Sequence, residues 1–209
     1  MEAIILTKSV MNKKSTGKKG SCVTAYAPYE NRFVRFVSDT HGSPIPYQIS
    51  ARFSLLDIVS VQVLCSCSNS PQTENLLVDT NTFSVDGKYQ MGIESIVRMA
   101  PSPHFPRYMD DWSYKLDSVK CYSHSLELVP VSKLRVFQDN RNKVKADFQF
   151  HSRWRKFFSV TDPYAIQRVY AGEWYVGNAY VAVSIPTETD DKSGSYFKFI
   201  AAIYPVHEI

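Results

Sequence analysis

Arg153-Trp154-Arg155-Lys156 places three cations around the ring best suited to base stacking, and Arg135, Lys143 and Lys145 lie just upstream. Cations interleaved with aromatics supply what a nucleic-acid strand requires: charge that displaces counterions from phosphates, and flat faces on which bases stack. A second set opens the chain. Over residues 1–36, Lys8, Lys13, Lys14, Lys18, Lys19, Arg32 and Arg35 are opposed only by Glu2 and Glu30, a net +5. Over residues 133–156, Lys133, Arg135, Arg141, Lys143, Lys145, Arg153, Arg155 and Lys156 are opposed only by Asp139 and Asp147, a net +6. The whole chain carries +4, so the remainder is acidic and the positive charge is concentrated in two blocks. The candidate nucleic-acid-binding residues are Lys13, Lys14, Lys18, Lys19, Arg32 and Arg35 in the first block, with Tyr26 and Phe33 as stacking candidates. In the second they are Arg135, Lys143, Lys145, Arg153, Trp154, Arg155 and Lys156.

Other chemistries fit less well. Ser15-Thr16-Gly17-Lys18-Lys19-Gly20 resembles a phosphate loop, but Asn12 stands where that motif needs glycine and Lys19 where it needs Ser or Thr. Asp110 and Asp111, with His104 and Glu94, form the best carboxylate set for a metal-dependent nuclease. Adjacent carboxylates diverge on either a helix or a strand, however, and the prolines at 101, 103 and 106 break the flanking segment. The five histidines fall in no metal-ligand spacing, and Cys65-x-Cys67 has no second pair to complete a zinc site. No catalytic residue, metal or cofactor is expected.

These residues must be carried by strands. Alternation over 21–26 and 32–37, the β-branched run 55–67 and the segments 125–131, 133–138, 144–150 and 154–160 all read as β. Residues 179–185 and 196–204 close the pattern. Asp86-Gly87 predicts a tight turn between strands at 82–85 and 89–91, and Asp139-Asn140-Arg141-Asn142 predicts a hairpin. Helices are expected over 93–99 and 163–171, the latter capped by Asp162 with Pro163 in its first turn. Residues 108–116 read as helix or irregular linker. The whole is an all-β chain of two small OB-like Greek-key barrels with short helices: 1–107, a linker over 108–122, and 123–209.

With 209 residues, 44% hydrophobic and 21% charged, the chain has the composition of a globular protein. No apolar run is long enough to span a bilayer, and Met1 to Leu6 lacks the basic flank of a signal peptide. Four cysteines without a secretory signal predict reduced thiols and a cytoplasmic setting.

The order of short motifs resembles the bacterial dual OB-containing domain family. In the first half these are Gly20-Ser21-Cys22-Val23-Thr24-Ala25, Arg32-Phe33-Val34-Arg35-Phe36-Val37-Ser38 and Leu55-Leu56-Asp57-Ile58-Val59. In the second they are Val160-Thr161-Asp162-Pro163, Tyr180-Val181-Ala182-Val183-Ser184 and the closing run from Tyr196 to Ile203. The Lys-rich segment 12–19 departs from the compact loop usual in that family. The resemblance implies two OB-like barrels, a setting in bacterial defence loci, and nucleic-acid or nucleotide binding without a catalytic motif. The expected function is a non-enzymatic nucleic-acid-binding component of an antiviral defence system. The alternatives are an adaptor that docks a protein effector encoded nearby, through 101–106 and 108–114, and a sensor of a small nucleotide.

Overall fold

The alternating apolar pattern becomes strands in both halves of the chain. A computed structural model describes residues 1–12, 19–68, 71–100, 107–111, 113–119, 122–172, 174–186, 189 and 193–206; the side chains of 10–12, 19, 174 and 175 lie outside that description. The chain divides into two units, Met1–Ser102 and Pro103–Ile209, each with its own core.

The first unit contains β1 (Glu2–Asn12), β2 (Lys19–Ala27), β3 (Arg32–Val37), β4 (Ile45–Pro46), α1 (Tyr47–Ser50), β5 (Asp57–Ser60), β6 (Val63–Ser66), β7 (Asn75–Val78), β8 (Ser84–Lys88) and α2 (Gly92–Met99). Its sheet runs β6-β7-β3-β2-β1-β5-β8, with β4 beside β2 and β3 parallel to β7. The expected strand over 55–67 is divided: β5 pairs with β1 and β6 with β7. Only Val61 and Gln62 separate them, and they carry the switch of partner. The Val61 N–H donates to the Met1 carbonyl at 2.9 Å, and the Gln62 carbonyl accepts from the Asp79 N–H at 3.0 Å. Thus β5 and β6 act as one bent strand that runs from beside the edge strand β8 to the opposite edge of the sheet. The Asp86-Gly87 pair makes no turn. It lies inside β8, where Ile58 pairs with Gly87 and Val59 with Val85, leaving Asp86 as the extra residue of a bulge.

The second unit contains β9 (Lys115–Leu116), β10 (Leu126–Gln138), β11 (Val144–Phe150), β12 (Arg153–Val160), α3 (Pro163–Tyr170), β13 (Trp174–Ser184), β14 (Tyr196–Phe197) and β15 (Phe199–Pro205). Strands β10-β11-β12-β15-β13 close into a barrel in which β12 and β15 are parallel. Counted from β10, this is the order 1-2-3-5-4 with a helix between the third and fourth strands, the OB plan. The two strands expected over 125–138 form one continuous β10, bent at Lys133, whose φ is 52°. Asp162 caps α3 as the sequence predicts, accepting the Tyr164 N–H at 2.9 Å, while its other oxygen accepts the Ile203 N–H of β15 at 2.9 Å. Burial pushes the Asp162 carboxyl above its ordinary value against the pull of those donors.

Within 108–122, expected as a linker, several of the described residues instead contribute to the second core. Tyr108 and Met109 are fully buried, and Leu116 and Val119 pack in the same cluster. Glu127 draws the segment in: its carboxylate accepts the Tyr108 N–H at 2.7 Å and the Met109 N–H at 3.3 Å. The two residues of β9 pair with β14.

Candidate nucleic-acid interface

The outer face of β10, β11 and β12 is built by alternation. Leu134 and Val136 of β10, Ala146 and Phe148 of β11, and Phe158 and Val160 of β12 point into the barrel core. The intervening residues therefore point out. Pairing aligns them in rows: Phe137 with Lys145 and Ser159; Arg135 with Asp147; Ser132 with Gln149 and Trp154. Trp154 is 48% exposed and Phe157 is 53% exposed, unusual for rings that ordinarily seek the core.

Phe157 reaches this face through a bulge. Strict alternation from Arg155 would turn it inward, but the β11–β12 register shifts between Ala146 and Phe148. Phe157 takes a φ of 62°, costly for a bulky side chain, and its N–H donates to the Asp147 carboxylate at 2.8 Å. The ring then stands edge-on to Phe137 at 6.5 Å, and the Arg135 guanidinium lies over Phe137 at 5.6 Å. Lys145 donates to Ser159 Oγ at 2.8 Å; burial lowers its pKa, with Asp139 opposing and Lys143 and Arg141 adding to the fall. Lys143, Arg153 and Lys156 are exposed. Lys143 stands in the β10–β11 hairpin, which Asp139 holds by accepting the N–H groups of Arg141 at 2.9 Å and Lys143 at 2.8 Å. The other hairpin, β11–β12, turns at His151 and Ser152, both at positive φ.

The candidates drawn from the sequence are thus placed unequally. Arg135, Lys143, Lys145, Arg153, Trp154 and Lys156 belong to this open face or its rim. Arg155 is 3% exposed: it points inward on β12, donates to the Met109 carbonyl at 3.3 Å and lies 5.8 Å from the Phe150 ring. Arg35 is likewise 3% exposed, with Glu74 at 3.4 Å and Cys22 Sγ as partners. Arg32 is exposed at the start of β3. Tyr26 is buried and donates its hydroxyl to Asn31 at 2.9 Å, so its ring is no platform; Phe33 is half-buried against it. Lys13, Lys14 and Lys18 lie outside the described residues, in the connection between β1 and β2; the side chain of Lys19 is also outside them.

Phe137 and Phe157 join the face as well, although the sequence reading does not single them out. Phe137 shares the strand parity of Arg135, and that signal is readable. Phe157 has none, because its orientation depends on the bulge.

In the first barrel much of the equivalent face is covered, although Cys22 and Phe33 on it are partly exposed. Ile4, Leu6, Thr24, Tyr26 and Arg35, which alternate with the core residues Ala3, Ile5, Val23, Ala25, Val34 and Phe36, are all 3% exposed or less. Among the described residues no group of His, Cys, Asp or Glu side chains could hold a metal ion, and no helix is long and apolar enough to cross a membrane.

OB-type barrels are a nucleic-acid-binding type of fold, and the second and third strands, with the loop between the first and second, are the parts such folds use. No curated protein and no solved structure matches the chain. One family model does, spanning residues 1–203 and so both barrels: the chain belongs to the dual OB-containing domain family.

Proposed function

We propose that the protein binds single-stranded or structured nucleic acid, RNA or DNA, across the outer face of β10, β11 and β12, and does so without catalysing a reaction. One observation carries the reading: Trp154 and Phe157 stand half exposed on a sheet face ringed by Arg135, Lys143, Lys145, Arg153 and Lys156. Exposed rings gain little in water, whereas stacked bases contribute roughly 1–3 kcal/mol each. Lys13, Lys14 and Lys18, in the β1–β2 connection, and Lys19, which opens β2, are proposed as further phosphate contacts made by the first barrel. In this reading the protein is a cytoplasmic component of a bacterial antiviral defence system, with a protein effector encoded nearby as the acting enzyme, a setting that the family resemblance supports. Of the contact assigned to the adaptor alternative, residues 101–106 lie outside the described residues, and within 108–114 Tyr108 and Met109 are buried in the core while Asp110 is exposed.

Fluorescence anisotropy with labelled single-stranded DNA, single-stranded RNA and an RNA hairpin, each titrated at rising salt, tests the proposal. Binding at low salt that weakens steeply as salt increases is expected. Absence of binding to all three at low salt would overturn it.

A further inference from the structure

Beside the open face lies a groove of about 420 Å³, between the end of β10 and the C-terminus of α3, lined by Arg135, Phe137, Gln138, Val169, Tyr170 and Gly172. Its chemistry is asymmetric. Arg135 offers a permanent cation, Phe137 and Tyr170 offer aromatic surfaces, and Val169 forms an apolar, buried floor. Gln138 is an exposed amide whose Nε2 donates to Asn142 Oδ1 at 3.3 Å, which leaves its carbonyl oxygen and second N–H for a ligand. Among the described residues, no carboxylate lines the groove.

Gly172, just past the Ala171 cap of α3, has a φ of 149°, and the space where a Cβ would stand is open. Tyr170 is 60% exposed although it sits on the last turn of α3, and its hydroxyl donates to the Asn142 carbonyl of the β10–β11 hairpin at 3.4 Å. The ring is therefore tethered at its tip to the hairpin that carries Lys143. The volume lies within the range of small-molecule sites, roughly 300–1,000 Å³.

We infer that this groove takes one nucleotide, its base against Tyr170 and Phe137 with its edge toward Gln138 and its phosphate toward Arg135. Because Arg135 and Phe137 also belong to the open face, a strand crossing that face delivers one base into the groove. This rests on the proposed nucleic-acid interface and adds to it a point of base selection: stacking on Trp154 and Phe157 tolerates any base, whereas an amide facing a base edge does not. The same chemistry would accept a free mononucleotide, and the experiment separates the two sources.

The full chain is titrated with AMP, GMP, CMP and UMP while the tyrosine ring signals are followed by NMR. Its affinity for the four homopolymer strands, and for the preferred one with a single abasic position, is measured in parallel. The expected results are an affinity at least about fivefold better for one homopolymer, loss of that margin in Gln138→Leu and Tyr170→Ala, its retention in Tyr170→Phe, and an unchanged salt slope in all three. Equal affinity for all homopolymers, with no mononucleotide bound, overturns the groove and leaves the strand reading standing. Mononucleotide binding that survives Tyr170→Ala also overturns it. Mononucleotide binding that Tyr170→Ala abolishes, in a chain that binds no strand, upholds the groove as a site for the free nucleotide and sinks the strand reading. If neither ligand binds, both ideas fall.

Discussion

Trp154 and Arg155 are neighbours in sequence with opposite fates. Trp154 is 48% exposed on the outer face, and Arg155 is 3% exposed beneath residues 109 and 110. Trp154→Ala should therefore weaken strand binding by roughly 5- to 100-fold through lost stacking while leaving the urea midpoint almost unchanged. A variant that binds as well as wild type would remove Trp154 from the interface. Lys198 is another buried cation, 1% exposed, donating to the Asp111 carbonyl at 2.9 Å. Burial lowers its pKa from 10.5 to about 8, with Asp111, Glu127 and Asp110 opposing and Arg155 adding to the fall. The unfolded chain therefore holds this proton to higher pH than the native state, so the Lys198 contribution rises with pH between about 8 and 10.5. Lys198→Met should be about 1–3 kcal/mol more stable than wild type near neutral pH, with the margin shrinking as pH climbs through that window. Paired urea titrations at several pH values measure it, and a margin constant with pH would show that the amine is not the cause.

At the scale of elements, β12 serves both the core and the outer face through its bulge. Arg155, Phe158 and Val160 fill the inside, while Trp154, Lys156 and Phe157 stay outside, an arrangement a regular strand cannot supply. The left-handed backbone at Phe157 costs about 1–2 kcal/mol for a residue with a side chain. Glycine at this position should relieve that cost while deleting the ring. Phe157→Gly is thus expected to fold with stability within about 1 kcal/mol of wild type and to bind strands several-fold less tightly. Loss of stability without loss of affinity would mark Phe157 as a packing residue instead. A similar double role fixes α3: Asp162 caps its first turn and also anchors the Ile203 N–H of β15.

For the molecule as a whole, charge decides the behaviour. The second barrel brings five cations, Arg135, Lys143, Lys145, Arg153 and Lys156, to its open face or rim. Five phosphate contacts on a single strand predict a slope of roughly −3.5 in log affinity against log salt. Each of these cations changed to Ala should flatten the slope by about 0.7. Arg155→Ala should leave it alone.

Much of this is legible in the amino-acid sequence. Local chemistry marks the Asp162-Pro163 helix start and the Asp139–Asn142 hairpin, because each depends on contacts within four residues. The order of short motifs marks two OB-like barrels, and the clustering of cations marks the second barrel as a candidate surface. Tertiary structure decided the rest. Whether Asp86-Gly87 turns or bulges, where the β5–β6 strand changes partner, and which of Arg153 to Phe157 face outward all follow from register against strands far along the chain. Each bulge inserts one residue and reverses the parity of everything beyond it, so a strand's inner and outer faces are fixed by its partners. The sequence alone determined where the cations and Trp154 cluster; the closure of the second barrel and the bulge in β12 decided which of them, and which further rings, stand on its outer face.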